Sequence, residues 1–590
     1  MGFLRQLRPL YPYLLRYRGR FALGFVALTG NNAAWVTVPM VLRAAIDALA
    51  QSLTRERILY YVGLLLVVAV IRGICQYATR QVLIGISRDI EFDLRNDLFR
   101  HLTSLPLAYY QRNRTGDIMA RATNDLNAVR MLLGPGIMYT ANTVLVMVLA
   151  AAIMTRLNGH LTSIVLLPIP LVSFSVFYFG RQIHIRFERI QAMFSELSAA
   201  TQENLAGVRV VRAYAQESAE IAKFARMNQE YLERNRKLIR IWGIFYPALD
   251  VLIGLTLVLV LWIGGRDVLA GQLSLGSYVA FNTYMVQLTW PMIALGWVVN
   301  LGQRGAASTA RLFEIFEERS EIAEPMFVPE DPAPVTEVRG GIEFRNLTFT
   351  YPSGGTKPAL RGVNLRIQAG KTVAIVGPTG SGKSTLVNLI PRLHEAPPGT
   401  VFIDGVDLHR FPLALLRREI GFVPQETFLF SATIAQNIGF GVESGIEIES
   451  IKDAAAIAGI HTDVMEFPTG YETIVGERGV TLSGGQRQRT AIARALVRDP
   501  RILILDDALS SVDTETEERI LTRLREVMKG RTAILISHRV STVQAANEII
   551  VLAEGEIVER GSHLELLEKG GYYAELYQKQ LLEQELEQQQ

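Results

Sequence analysis

Cysteine is almost missing from this sequence. Cys75 is the only one in 590 residues, so no internal disulfide can form and no thiolate zinc site can be assembled. Its plain reading is a small apolar side chain. Net charge is nearly missing too: Lys+Arg 60 stand against Asp+Glu 57, a formal +3. That balance gives no global reason to expect nucleic acid as a partner. Acidic residues are absent from the first twenty positions, which carry Arg5, Arg8, Arg16, Arg18 and Arg20. No small-residue cleavage site follows a short apolar core there, so a removable signal peptide is not expected.

What the chain has in abundance is apolar sequence. The hydrophobic fraction is 49% and the mean hydropathy +0.21, high for a water-soluble protein of this length. The apolar residues concentrate before residue 305, in runs over residues 21–42, 58–74, 136–154, 161–179, 244–263 and 277–301. Each is close to the roughly 20 residues a helix needs to cross a bilayer. The connections at 51–57, 155–160 and 264–276 are short, whereas 88–130 and 181–240 are long and densely charged. The Arg-rich N-terminus and the long segments therefore belong on the cytoplasmic side. Apolar residues keep helical spacing through 88–98 and 190–198, which predicts helices running on from the membrane into the cytoplasm. The stretch 4–17 mixes Leu, Tyr and Arg at helical spacing and reads as a helix lying on the membrane surface, with a packed soluble helix as the alternative.

A proline-rich acidic stretch, 317–341, has the texture of a linker. Beyond it strand-like and helical runs alternate, which predicts a mainly parallel sheet covered by helices. The Glu/Gln-rich end, 581–590, is expected to fray.

The sharpest motif is Gly377-Pro378-Thr379-Gly380-Ser381-Gly382-Lys383-Ser384-Thr385, a complete P-loop between a predicted buried strand at 372–376 and a predicted helix at 386–390. Its glycines let backbone N–H groups curl toward phosphate oxygens at a helix N-terminus. In the mechanics of such loops Lys383 contacts the β- and γ-phosphates and Ser384 binds Mg²⁺. A second strand, 502–505, ends in Asp506 and Asp507, where a carboxylate can hold Mg²⁺. A third, 532–537, delivers His538 to the same edge, within reach of a γ-phosphate.

With Leu482-Ser483-Gly484-Gly485-Gln486 added, the chain resembles an ATP-binding cassette half-transporter of the exporter type over essentially its whole length. The resemblance implies a multidomain membrane protein: an all-α domain of six transmembrane helices over 1–316, the linker 317–341, an α/β P-loop ATP-binding cassette domain over 342–580 and a flexible tail. It implies that Tyr351 stacks on adenine, that Gln425 senses Mg²⁺ and nucleotide, that the loop from Ser510 to Asp513 crosses the cassette interface, and that Glu477 belongs to the loop before the signature. Residues 110–118 and 213–217 resemble the two coupling helices. Ser483, Gly484 and Gly485 open a helix whose N–H groups suit a phosphate; in the family that phosphate belongs to ATP held by a second half-transporter. The expected cofactors are thus ATP and Mg²⁺, and the expected location is the cytoplasmic membrane, with the N-terminus and the cassette in the cytoplasm.

One position departs from the pattern. Family members that hydrolyse ATP efficiently carry glutamate after the first aspartate of this motif, and here Asp507 stands there. Its carboxylate is set back by roughly 1 Å, and a displacement of that size costs on the order of a hundredfold in rate. The combination resembles the degenerate-site subunit of heterodimeric multidrug or lipid exporters. A homodimer with an aspartate base and a regulatory subunit that never turns over its nucleotide stay open as alternatives. A soluble cassette ATPase acting on DNA is opposed by the six apolar runs, and an importer by the fusion of both domains. For substrate, Asn31, Asn32, Trp35, Thr37, Asp250, Asn282, Tyr284, Gln287 and Trp290 are the polar or aromatic residues within the runs. They fit either interhelical hydrogen bonds or a cavity for an amphipathic drug, lipid or peptide, with Asp250 a candidate contact for a cation.

Overall fold

A computed structural model describes residues 3–51, 54–166, 169–320, 322, 337–352, 357–442, 445–476, 479 and 481–588. The chain divides into two compact units. One comprises Met1–Thr103 with Thr115–Glu318, the other Ser104–Arg114 with Arg319–Gln590.

The first unit is helical. Its principal helices are α1 (Arg18–Gln51), α2 (Arg55–Ser104), α3 (Thr115–Leu157), α4 (Ile169–Ala206), α5 (Glu217–Leu269) and α6 (Leu275–Glu317). Among the described residues four, α1, α2, α3 and α5, are long and apolar enough to cross a membrane. The run at 161–179 falls on a short helix, Gly159–Leu166, and the start of α4; the run at 277–301 lies within α6. At about 1.5 Å per residue, the 50 residues of α2 and the 53 of α5 far outreach about 30 Å of hydrocarbon. The charged segment 88–98 is accordingly continuous with the apolar run before it. Many of the large apolar side chains on these helices are exposed, Leu66, Val70, Leu255 and Trp262 among them, as a lipid-facing surface requires.

In the second unit two sheets share one core. An antiparallel sheet contains β1 (Ile342–Phe349), β2 (Leu360–Ile367), β4 (Val401–Ile403) and β5 (Val406–Asp407) in the order β2-β1-β4-β5. The other runs β10-β9-β3-β8-β7-β6, from β3 (Thr372–Val376), β6 (Ile420–Val423), β7 (Ile502–Asp506), β8 (Thr532–Ile536), β9 (Glu548–Ala553) and β10 (Glu556–Gly561). All its pairings are parallel except β9 with β10. β7 and β8 are buried at every residue, the signature of strands covered on both faces. The helices that matter for the site are α7 (Lys383–Asn388), α8 (Gly484–Leu496) and α9 (Tyr572–Gln588).

Candidate functional site

The loop joining β3 to α7 is shaped by two glycines. Gly377 sits at φ +148°, where a Cβ would lie 2.0 Å from the Leu552 carbonyl oxygen; at Gly382, φ +101°, it would lie 2.7 Å from that of Ala359. No side chain fits either place. The curl brings the loop's carbonyls back on its lysine: Lys383 Nζ donates to the oxygens of Gly377 and Pro378, 2.9 Å each. Burial holds the Lys383 pKa below the ordinary lysine value, opposed by the charges of Asp506 and Asp507.

The carboxyl ends of β7 and β8 supply the facing wall. Asp506 is buried, which pushes its pKa up; a hydrogen bond from Ser384 opposes that shift, the neighbouring Asp507 charge adds to it, and Lys383 and His538 oppose it. Asp507 adopts φ +49°, a left-handed backbone that aspartate tolerates better than most residues, and its N–H donates to Ile536 O at 2.9 Å. A cavity of about 290 Å³ is lined by Thr379 to Thr385, Gln425, Asp506, Asp507, His538, Tyr351, Ala359 and Ile536. Most of the expected site residues are thus brought together. Gly377 and Pro378 do not line the cavity, and meet the site through the carbonyls that accept from Lys383.

The cavity suits a polyphosphate and its metal by its own chemistry. Ser381 Oγ is buried without a hydrogen-bond partner, a donor awaiting an acceptor. The Ser384 hydroxyl beside the Asp506 carboxylate matches Mg²⁺, which takes one or two protein oxygens and completes its shell with water and phosphate. Tyr351 is half-buried; its hydroxyl shares a 2.8 Å hydrogen bond with Thr385 Oγ1 and its ring lies edge-on to His394, 5.0 Å between centroids.

Other expected residues lie apart from this cavity. Ser483 caps α8 in a capping box with Gln486: Gln486 N donates to Ser483 Oγ at 3.2 Å, and Ser483 N to Gln486 Oε1 at 3.0 Å. The N–H groups of Gly484 and Gly485 remain as first-turn donors without intrahelical acceptors. Asp513 caps the helix Thr514–Met528 through Thr516 N at 2.9 Å, and that bond lowers its pKa. Glu477 lies outside the described residues.

Two glutamines not anticipated from sequence tie these parts together. Gln488, buried on α8, donates to Ser510 Oγ at 2.9 Å and accepts from Ser511 N at 2.9 Å, while Ser510 Oγ donates to Asp507 O at 3.0 Å. A hydrogen-bonded relay thus runs from the Ser483 helix to Asp507. Gln580 on α9 brackets the other wall, donating to His538 O and accepting from Val540 N at 2.8 Å. The position of Gln488, two residues past the signature, was the available sequence signal; Gln580 had none.

In the helical unit a second cavity, of about 530 Å³, is lined by Asn31, Asn32, Trp35, Gln287 and Trp290 among others. Tyr284 is instead fully buried, its hydroxyl donating to Val36 O at 2.6 Å, and Thr37 bonds back to Ala33 O at 2.8 Å. Asn282 and Asp250 do not line this cavity, and Asp250 is exposed. Of the two coupling segments, residues 110–114 belong to the second unit, where Pro106 and Ala108 border a groove with Phe349 and Leu393. Residues 213–217 form an exposed bend with Ala215 at φ +50°.

A membrane-embedded helical unit joined to a P-loop nucleotide-binding unit on one polypeptide defines the class: an integral membrane protein that carries its own ATPase. Residues 21–292 match the family described as the ABC transporter transmembrane region, and residues 360–510 the family described as ABC transporter. The chain is 38% identical over 579 residues to the multidrug resistance-like ATP-binding protein MdlA of Escherichia coli, covering 98% of this chain and 97% of that one. It is 34% identical over 564 residues to the ATP-dependent lipid A-core flippase of Syntrophus aciditrophicus, covering 96% and 92%. Its structure matches that of a bacterial Atm1-family ABC exporter with ATP bound, with a TM-score of 0.77, 29% identity and coverage of 96% and 98%. The chain belongs to the ABC transporter family, as an exporter with transmembrane and ATP-binding domains fused, and that membership implies ATP binding.

Proposed function

We propose that this chain is one half of a heterodimeric ATP-driven exporter of amphipathic molecules, and that the site on its own P-loop binds ATP but hydrolyses it slowly. In this reading the protein sits in the cytoplasmic membrane with six spans. Residues 1–316 form the transmembrane domain, 317–341 a linker and 342–580 the cassette. ATP binding draws two cassettes together, and the long helices pass that closure to the cavity between inward and outward states. Lys383 and the loop N–H groups hold the phosphates, Tyr351 the adenine, and His538 the γ-phosphate. Ser384, Asp506 and Gln425 hold Mg²⁺, which when bound neutralises charge on the β- and γ-phosphates. Ser483, Gly484, Gly485 and Gln486, with the loop ending at Asp513, face the ATP of the partner.

The observation that carries the reading is Asp507. It lines the cavity beside Asp506 and His538, where a general base belongs, with a side chain one methylene short of the family's glutamate. The intact Ser483 cap supports the other half of the idea, that this chain completes a productive site on its partner. An amphipathic substrate is supported by the aromatic and amide lining of the helical cavity and by the multidrug and lipid names of the relatives.

The test is hydrolysis by the purified full-length chain alone and by its copurified complex, with labelled nucleotide trapped at each site. Slow turnover alone and trapping at the partner's loop are expected. Brisk turnover by the isolated chain would remove the need for a partner and favour a homodimer with an aspartate base.

A further inference from the structure

The helical cavity carries positive charge. Arg72, Gln76, Thr79 and Arg80 fall on one face of α2, spaced four, three and one residues apart, and all four line the cavity. No carboxylate lies among its described lining residues, and neither arginine makes an ion pair among the described residues. Arg72 falls within the apolar run 58–74, and a charged residue in such a run characteristically faces a bundle interior or a cavity. Its guanidinium lies over the Trp35 ring, 3.4 Å from Cζ to centroid, a cation–π contact that holds the group in place. Arg72 Nε is buried without a hydrogen-bond partner, and so is Nδ2 of Asn32, which is 1% exposed. The lining also includes apolar side chains, Leu28, Val38, Met138, Val146 and Val286 among them. A volume of about 530 Å³ falls in the range of small-molecule sites, ~300–1,000 Å³.

We propose that this cavity receives an anionic amphipath, whose phosphate, sulfate or carboxylate is held by Arg72 and Arg80 and whose apolar tail lies along the Val38 and Val286 side. This deepens, and rests on, the reading of the chain as an exporter of amphipathic molecules, and it replaces Asp250 and a cationic substrate as the electrostatic partner. Stacked Arg72 acts as the fixed ligand. Arg80, exposed on the same helix face, acts as the adaptable one, and Asn32 supplies a neutral donor.

The experiment uses the full chain in nanodiscs of phosphatidylcholine, with three probes that share one tail: dodecyl phosphate, dodecyl trimethylammonium and dodecyl maltoside. Binding is read from Trp35 fluorescence, with Trp35→Phe as the blank. Dodecyl phosphate is expected to bind at least about tenfold more tightly than the cation, the equivalent of one charge-assisted contact. The double variant Arg72→Gln/Arg80→Gln is expected to bring the ratio to about one, whereas Arg72→Lys/Arg80→Lys keeps part of it. A separate arm replaces the soluble probe with phosphatidic acid in the nanodisc. A response to the soluble anion in preference to the cation, to the anionic lipid, or to both supports the site and names the source, provided the double Gln variant loses it, and a response to neither overturns it. Equal binding of all three probes, a preference for the cation, or a preference for phosphate that survives the double Gln variant would also overturn it. Each variant is checked for binding of a fluorescent ATP analogue, which reports folding. Loss of ATP binding by the unmodified chain would count against the exporter reading and leave the charge preference to be judged on its own.

Discussion

Replacing Asp507 by Glu restores the carboxylate reach that the P-loop site lacks. Asp507 is anchored by its own N–H to Ile536 O at 2.9 Å, so the backbone stays in place and the extra methylene carries the carboxylate about 1 Å farther into the cavity. If that distance is what limits the site, restoring it recovers on the order of a hundredfold in rate, about 2.7 kcal/mol of barrier. The backbone sets an opposing cost. At φ +49° aspartate is among the few tolerated residues, and a longer side chain there costs about 1 kcal/mol, which lowers the melting temperature of a domain this size by about 2–4 °C. The variant should therefore be faster and slightly less stable. The assay is single-turnover hydrolysis of labelled ATP at saturating Mg²⁺, on full-length protein in nanodiscs, with a thermal melt on the same sample. Asp507→Asn, which keeps the shape and the backbone preference but removes the base, should slow the residual rate further. No acceleration in Asp507→Glu, or an Asp507→Asn rate equal to that of the unmodified chain, would show that this carboxylate does not position the attacking water.

Three further outcomes follow from the cassette. Arg539 pairs with the buried carboxylate of Glu517, whose other oxygen accepts from Thr542 Oγ1 at 2.6 Å; Arg539→Ala should cost about 3 kcal/mol, seen as a lowered melting temperature, and adding Glu517→Gln should recover most of it. His409 lies 3.1 Å from Glu395 Oε1 and 2.7 Å from Asp407 Oδ1, and the bond to Glu395 raises its pKa against burial, helped by Asp407. The stability this contributes is complete below about pH 6.5, the unfolded value, and is lost as pH rises through the higher folded value. Melting temperature should fall with rising pH above that point, and His409→Gln should flatten the fall. Gly377→Ala, which would drive a Cβ into Leu552 O, should abolish binding of a fluorescent ATP analogue. Gly405→Ala, at φ +80° with nothing within 4 Å, should cost about 1–2 kcal/mol of stability and leave that binding unchanged.

The parts of the molecule that were legible in the sequence are those where local pattern and final contact coincide. The P-loop declared itself because its glycines answer to backbone shape within a few residues. The strands 372–376 and 502–505 did so because a parallel sheet buried on both faces leaves continuous apolar runs. Other features depend on contacts far away in sequence. β1 alternates buried and exposed residues, so its strand character was readable, but its pairing in a separate antiparallel sheet was not. Tyr284 looked like a cavity residue and is a core hydrogen bond to Val36, across 248 positions. Arg72 lies near the end of an apolar run, where its charge is a signal but its cavity position depends on Trp35, 37 positions away. Gln580 reaches His538 only because Tyr573 and its neighbours seat α9 on the strand that carries the P-loop.

The proposed function requires an asymmetry, in which this chain's Ser483 helix serves the productive ATP site and its own P-loop does not. The most direct measurement compares Ser483→Arg with Lys383→Met in the complex as it purifies from cells, by steady-state phosphate release. Ser483→Arg is expected to remove nearly all turnover, while Lys383→Met leaves a substantial part of it. Equal loss in both variants, or the larger loss in Lys383→Met, would contradict the asymmetry.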